Sequence, residues 1–266
     1  MISTRVATVL VCSLVLPAGV ALPAPVARVD HSAFDRLLRD NVRNGLVDYD
    51  AFGKSEAFRA YLASLAQVDV AALDTAERLA FWINVYNAFT IRLINVHEER
   101  DSIRNIKKTA LAIKGHGPWR ERLVKAGGRQ LHLDNVEHDI IRKDFKEPRI
   151  HFALVCAALS CPPLRAEAYS GAALDRQLDD QAQEFMLRSP AKNRIDVARG
   201  IAHFSPIMAS YYRGDFGGSD AAIARTLAAY YPLGPERSLL ESGKARIEAT
   251  DYDWTLNRQA KAAEKR

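Results

Sequence analysis

The stretch from Asp74 to about His97 constrains the fold more than any other. Leu79, Trp82, Ile83, Tyr86, Phe89, Leu93 and Ile94 run nearly all the way round a helix of period 3.6. A helix apolar on every side has no face for water, so it must be central and buried. Asp74 with Glu77 three residues on reads as the start of that helix, a capping-box pattern. Two amides sit on one face of it, Asn84 and Asn87. Buried amides require partners. Either they bond neighbouring loop backbone, or one offers an amide to an oxyanion or a histidine.

Elements suited to cover this helix lie on both sides of it. Phe34, Leu37, Leu38 and Val42 mark a first helix capped by Asp30 or Ser32, and a second runs from Ser55 to Leu65. The segment 107–128, rich in Lys and Gly, reads as a loop. Asp134 and Glu137 form a second cap-and-return pair that opens a helix. The run 149–156, RIHFALVC, is apolar on both faces and is the best strand in the chain. Pro162 and Pro163 then stop regular structure. A helix over 171–187, a hairpin at RIDVA and IAHF, a helix start at Ser205-Pro206, a helix over 221–231 and a late strand at KARIEA complete the pattern. Helices and strands mix without βαβ regularity. The expected fold class is therefore α+β: a helix-rich single domain, with the long helix packed on a small, mostly antiparallel sheet.

The first residues set the expected compartment. Arg5 is the only charge in the first 27 residues, an apolar run extends from Val6 to about Val20, and Gly19 and Ala21 are small residues spaced for a signal peptidase. This is the pattern of a cleaved secretory signal, and Pro17 and Gly19 argue against a membrane-spanning helix, which needs roughly 20 apolar residues. The expected organisation is a signal peptide over 1–21, with cleavage as late as 27, a globular domain over 28–257, and a basic, solvated tail over 258–266. The protein would be periplasmic or secreted, with no transmembrane segment after cleavage. Arg5 and the tail account for all but one of the +5 formal charges. The body is thus close to neutral, and nucleic acid is not an expected partner.

The chain has no GxGxxG, Walker, GxSxG or HExxH motif, and its seven histidines form no metal-ligand pair. No cofactor or metal is expected. Chemistry is left to Cys156 and Cys161. In an oxidising compartment they pair as a structural disulfide; otherwise they are inert buried thiols, or Cys156 is a nucleophile served by a nearby base. In a regular strand His151 would lie roughly 16 Å from Cys156 and on the opposite face, which excludes it as that base. His138, on the preceding helix between Asp134 and Arg142, is the remaining candidate, with Glu137 or Asp134 to orient its ring.

Several motifs recur together: FWINVYNAFTI, LDNVEHDIIR, RIHFALVC followed by ALSCPPL, FSPIMASYYRGDF and YDWTLN. In this order they resemble the domain of unknown function 547 family, over about 46–257. The resemblance brings no activity. It favours Cys156 over Cys161 for a shared role. The family usually has Gly after the first cysteine, where this chain has Ala157; if that glycine serves a special backbone angle, the turn here is expected to differ. A distant relation to papain-like and transglutaminase-like thiol enzymes follows only by fold-level analogy.

Two functions are thus expected. The first is a thiol-dependent hydrolase or acyl transferase acting on amide or peptide-like bonds, with Cys156 as nucleophile, His138 as base, Glu137 as orienter, Asn84 or Asn87 as positioning amide and Cys161 at the rim. The second is a non-catalytic domain that binds a ligand or a protein and whose Cys156–Cys161 pair is structural. Neither fixes the substrate or the oligomeric state.

Overall fold

The structure is a computed structural model that describes residues 27–106 and 117–260. The signal-peptide expectation over 1–21 and the last part of the tail lie outside the described residues. The chain is α+β. Helices α1 (Ser32–Asn41), α2 (Tyr49–Lys54) and α3 (Glu56–Ser64) surround α4 (Thr75–Val96), with the short pair β1 (Val42–Arg43) and β2 (Leu46–Val47) between α1 and α2. On α4, sixteen residues are buried, from Glu77 to Ile94. Asp74 caps it by accepting from Glu77 N at 2.8 Å. The Glu77 carboxylate does not return to the cap. It accepts from Val29 N and Gly171 N instead, tying the start of the domain and a later loop to the same turn.

The segment read as a loop ends in a strand, β3 (Val124–Ala126), which forms a hairpin with β4 (Arg129–Leu131) just beyond it. Gly127 and Gly128 both have positive φ, as a two-residue primed turn requires, so the Gly-Gly pair was the signal for this hairpin. A π-helix, Asn135–Ile141, leads into α5 (Arg142–Phe145). Asp134 does not cap it and pairs with Arg120.

The main correction concerns 149–156. Ile150–Ala153 is a helical turn, α6, and only the residues after it are extended. An apolar run of this length cannot be told from a buried helix by periodicity. Asn87 settles the local geometry: its Nδ2 donates to Ala153 O and its Oδ1 accepts from Val155 N, both at 2.9 Å. Both backbone groups freed at the helix end are thereby satisfied. At this segment the long helix thus packs on a helical turn and on extended backbone rather than on a strand; the strand it does contact is β3 of the antiparallel hairpin.

Beyond it come α7 (Leu174–Leu187), β5 (Arg194–Asp196), β6 (Ile201–Phe204), a π-helix at Ile207–Tyr211, α8 (Asp220–Ala228), α9 (Pro235–Ser242) and β7 (Arg246–Ala249). The three strands form one sheet in the order β5-β6-β7, antiparallel then parallel. This sheet carries a second apolar cluster with α7 and α8, beside the larger one around α4; Tyr252 packs against both. The start of the basic tail is not free. Gln259 N donates to Val47 O, Gln259 Nε2 donates to Asn41 O, and Arg258 forms a parallel bridge with Val47. Among the described residues no helix is long and apolar enough to cross a membrane.

Candidate functional site

Between the two apolar clusters lies a cavity of about 370 Å³. That is within the size range of small-molecule sites, about 300–1,000 Å³. Tyr86 of α4 forms part of it, and the π-helix contributes Glu137 and His138. π-helical turns recur at functional sites because the extra residue re-aims neighbouring side chains.

The loop after α6 brings in the cysteines. Cys156 and Cys161 are joined by a disulfide. Ala157 follows with φ of 64°, the left-handed angle that glycine favours, so the turn keeps that angle although alanine stands there, against the expectation of a different turn. Backbone bonds from Leu159 to Thr255 and from Ser160 to Asp253 lace this loop to the C-terminal segment. They hold Tyr252 and Trp254 on the cavity wall. The Tyr252 hydroxyl lies 3.3 Å from both sulfurs.

Four of the six predicted site residues meet here: Cys156, Cys161, His138 and Glu137, with Asp134 beside them. Asn84 and Asn87 do not line the cavity. Asn84 binds Tyr169 through its backbone N and O at 2.9 and 2.8 Å. Both asparagines therefore dock loops onto α4. His151, excluded by strand geometry, does line the cavity, because the helical turn changes its distance and direction from those of a strand.

The polar side chains form two sets. Glu137 is buried, and loss of solvent pushes its carboxyl above the usual range; His138 and hydrogen bonds from the Tyr212 and Tyr86 hydroxyls oppose that rise. The second set begins at Asp215. Its carboxylate accepts from Arg142 Nε and Nη2 at 2.6 and 2.8 Å and lies 2.7 Å from His151 Nε2. Arg142 in particular holds Asp215 down at about 2. Burial lowers His151 to about 4 despite that carboxylate. At neutral pH His151 is therefore neutral and donates its Nε2–H to Asp215. Tyr212 stacks on the His151 ring at 3.9 Å, and the Arg142 guanidinium stands over it at 5.2 Å from its centroid.

This geometry bears on the thiol reading. Arg142 Nη1 lies 3.2 Å from His138 Nδ1. Arginine only donates, so Nδ1 accepts and Nε2 carries the proton. Among the described residues, the sulfurs' hydrogen-bond partners are the Tyr252 hydroxyl and the Cys156 N–H, not a histidine. Sequence reasoning also missed Tyr86, Tyr212, Tyr252, Trp254 and Asp215. The last four lay in the YYRGDF and YDWTLN motifs, where closely spaced aromatics and an acid were the available signal. No group of three His, Cys, Asp or Glu side chains among the described residues is placed to hold a metal ion.

Comparison with known proteins gives one match. The family model described as "Protein of unknown function, DUF547" matches residues 70–186. No curated protein and no solved structure matches. The matched stretch contains the long helix, the π-helix and both cysteines. The YYRGDF and YDWTLN motifs lie beyond it. Over residues 70–186 the chain is similar to the DUF547 family.

Proposed function

We propose that this chain is an exported protein, periplasmic or secreted, that binds a small molecule or peptide-like group in the cavity, and that the Cys156–Cys161 disulfide is a structural part of the cavity wall. The observation that carries this reading is the pairing of the two sulfurs beside an aromatic-lined cavity. A disulfide has no thiolate to attack a substrate. It also fits an oxidising compartment, which supports export. The aromatic side chains supply most of the contact area a ligand would bury, and Glu137 and His138 supply polar contacts that fix its orientation.

The test is saturation-transfer NMR with indole as a generic stacking probe. Transfer is expected from the parent protein and from the Cys156→Ser, Cys161→Ser double variant, and it is expected to be weakened in Trp254→Ala. No transfer from the folded parent, or transfer indifferent to Trp254→Ala, would overturn the reading.

One observation favours a second reading. Both sulfurs share the cavity with Glu137, His138 and His151. On reduction, Cys156 would be freed as the nucleophile of a thiol-dependent hydrolase or acyl transferase acting on amide bonds. Turnover of a peptide amide that appears only after reduction and vanishes in Cys156→Ser would establish it.

A further inference from the structure

The chemistry of the cavity narrows the class of ligand, an inference that rests on the ligand-binding reading above. Four aromatic rings run along one wall. Trp119 and Trp254 have centroids 6.1 Å apart, Trp254 and Tyr252 4.6 Å, and Tyr252 and Tyr211 5.6 Å. Tyr211 is 53% exposed and the other three are partly buried. The belt is thus a set of accessible faces and edges rather than sealed core.

The charges argue against an ionic ligand. Arg142 stands over Tyr212, and Arg104 stands over Trp254 at 5.3 Å. Guanidinium groups therefore already use two of the aromatic faces, and an ammonium or guanidinium ligand would meet positive charge behind the wall. An anion would meet Asp134 and Glu137. Asp134 is paired with Arg120 at 2.8 Å, and Arg142 is paired with Asp215. What remains toward the cavity is hydrogen-bonding polarity: the buried Glu137 carboxyl, tyrosine hydroxyls, which both donate and accept, and the His138 ring.

We propose that the ligand is an uncharged saccharide. A pyranose ring has one face of C–H groups, which suits the negative face of an aromatic ring. Its edge of hydroxyls, each a donor and an acceptor, suits the tyrosine hydroxyls and Glu137. The Tyr252–Trp254 pair is the platform, and the end holding Glu137, Tyr86 and Tyr212 reads the hydroxyls.

The experiment is saturation-transfer NMR on the oxidised chain with cellobiose, maltose and N,N′-diacetylchitobiose at millimolar concentration. Choline and glycyl-proline are run beside them as the cationic and peptide alternatives, and indole as the cavity control. At least one disaccharide is expected to bind, to compete with indole, and to bind about three- to tenfold more weakly in Tyr211→Ala, the size of one stacking contact. Tyr211 is exposed enough to be replaced without disturbing the fold, and Trp254→Ala serves as the second variant. If indole binds while all three disaccharides fail, or if choline or glycyl-proline binds in their place, the saccharide assignment is overturned and the cavity reading stands. If indole also fails, both fall.

Discussion

His151 carries a pH dependence that can be read from its surroundings. Its ring is buried against Tyr212 and Phe216, with Asp215 at Nε2 and Arg142 and His138 nearby. Burial depresses it to about 4, and the same cause takes His31 to about 4. In the unfolded chain both titrate near 6.5. Between these values the unfolded chain binds more protons than the folded one. The stability they contribute is therefore present above about pH 6.5 and is lost as the pH falls toward 4. Asp215, held at about 2, adds a further loss only below its unfolded value near 3.8. Urea midpoints should fall from neutral pH to about pH 5 in the parent and fall less in His151→Gln. Equal falls in the two proteins would show that His151 titrates as an ordinary, solvated histidine. None of this was legible in the sequence. The reading of 149–156 as a strand placed His151 away from Cys156, and its acid partner lies 64 residues on in the chain.

At the scale of elements, the long helix was legible and its two asparagines were half legible. The all-round apolar pattern fixes α4 as buried, and Asp74 caps it as the sequence implies. The amides at Asn84 and Asn87 could be recognised as buried groups in need of partners, but not which partners. Each proves to satisfy one N–H and one C=O of a distant loop. Asn87→Ala leaves the Ala153 carbonyl and the Val155 N–H buried and unbonded, and it should destabilise the protein by about 2–4 kcal/mol. Urea unfolding measures this, and a change within about 0.5 kcal/mol would mean that the loop carrying the cysteines is held by other contacts. The segment 149–156 was misread because its apolar content has no period, so only the tertiary partner selects helix over strand. Gly127-Gly128 and the Gly243 that ends α9 at φ of 67° were local signals that could have been read.

At the scale of the whole molecule, the site forms where two apolar clusters meet, and segments distant in sequence supply it. His138, Glu137 and the cysteines were recognisable singly as chemistry-bearing residues, and the five motifs supply all of the cavity lining except Trp119. The aromatic belt was not foreseen, because Trp119, Tyr211, Tyr252 and Trp254 become neighbours only once the C-terminal segment is laced to the cysteine loop. The central claim is that the cavity works with its sulfurs paired, not with a free thiol. The most direct test is iodoacetamide labelling of the folded, unreduced protein, mapped by peptide mass spectrometry at Cys156 and Cys161 across pH. The disulfide account predicts no adduct at either residue until a reductant is added, and then adducts at both. Labelling of Cys156 without reductant that persists below neutral pH and is lost in His138→Ala would contradict it and put the thiol nucleophile in its place.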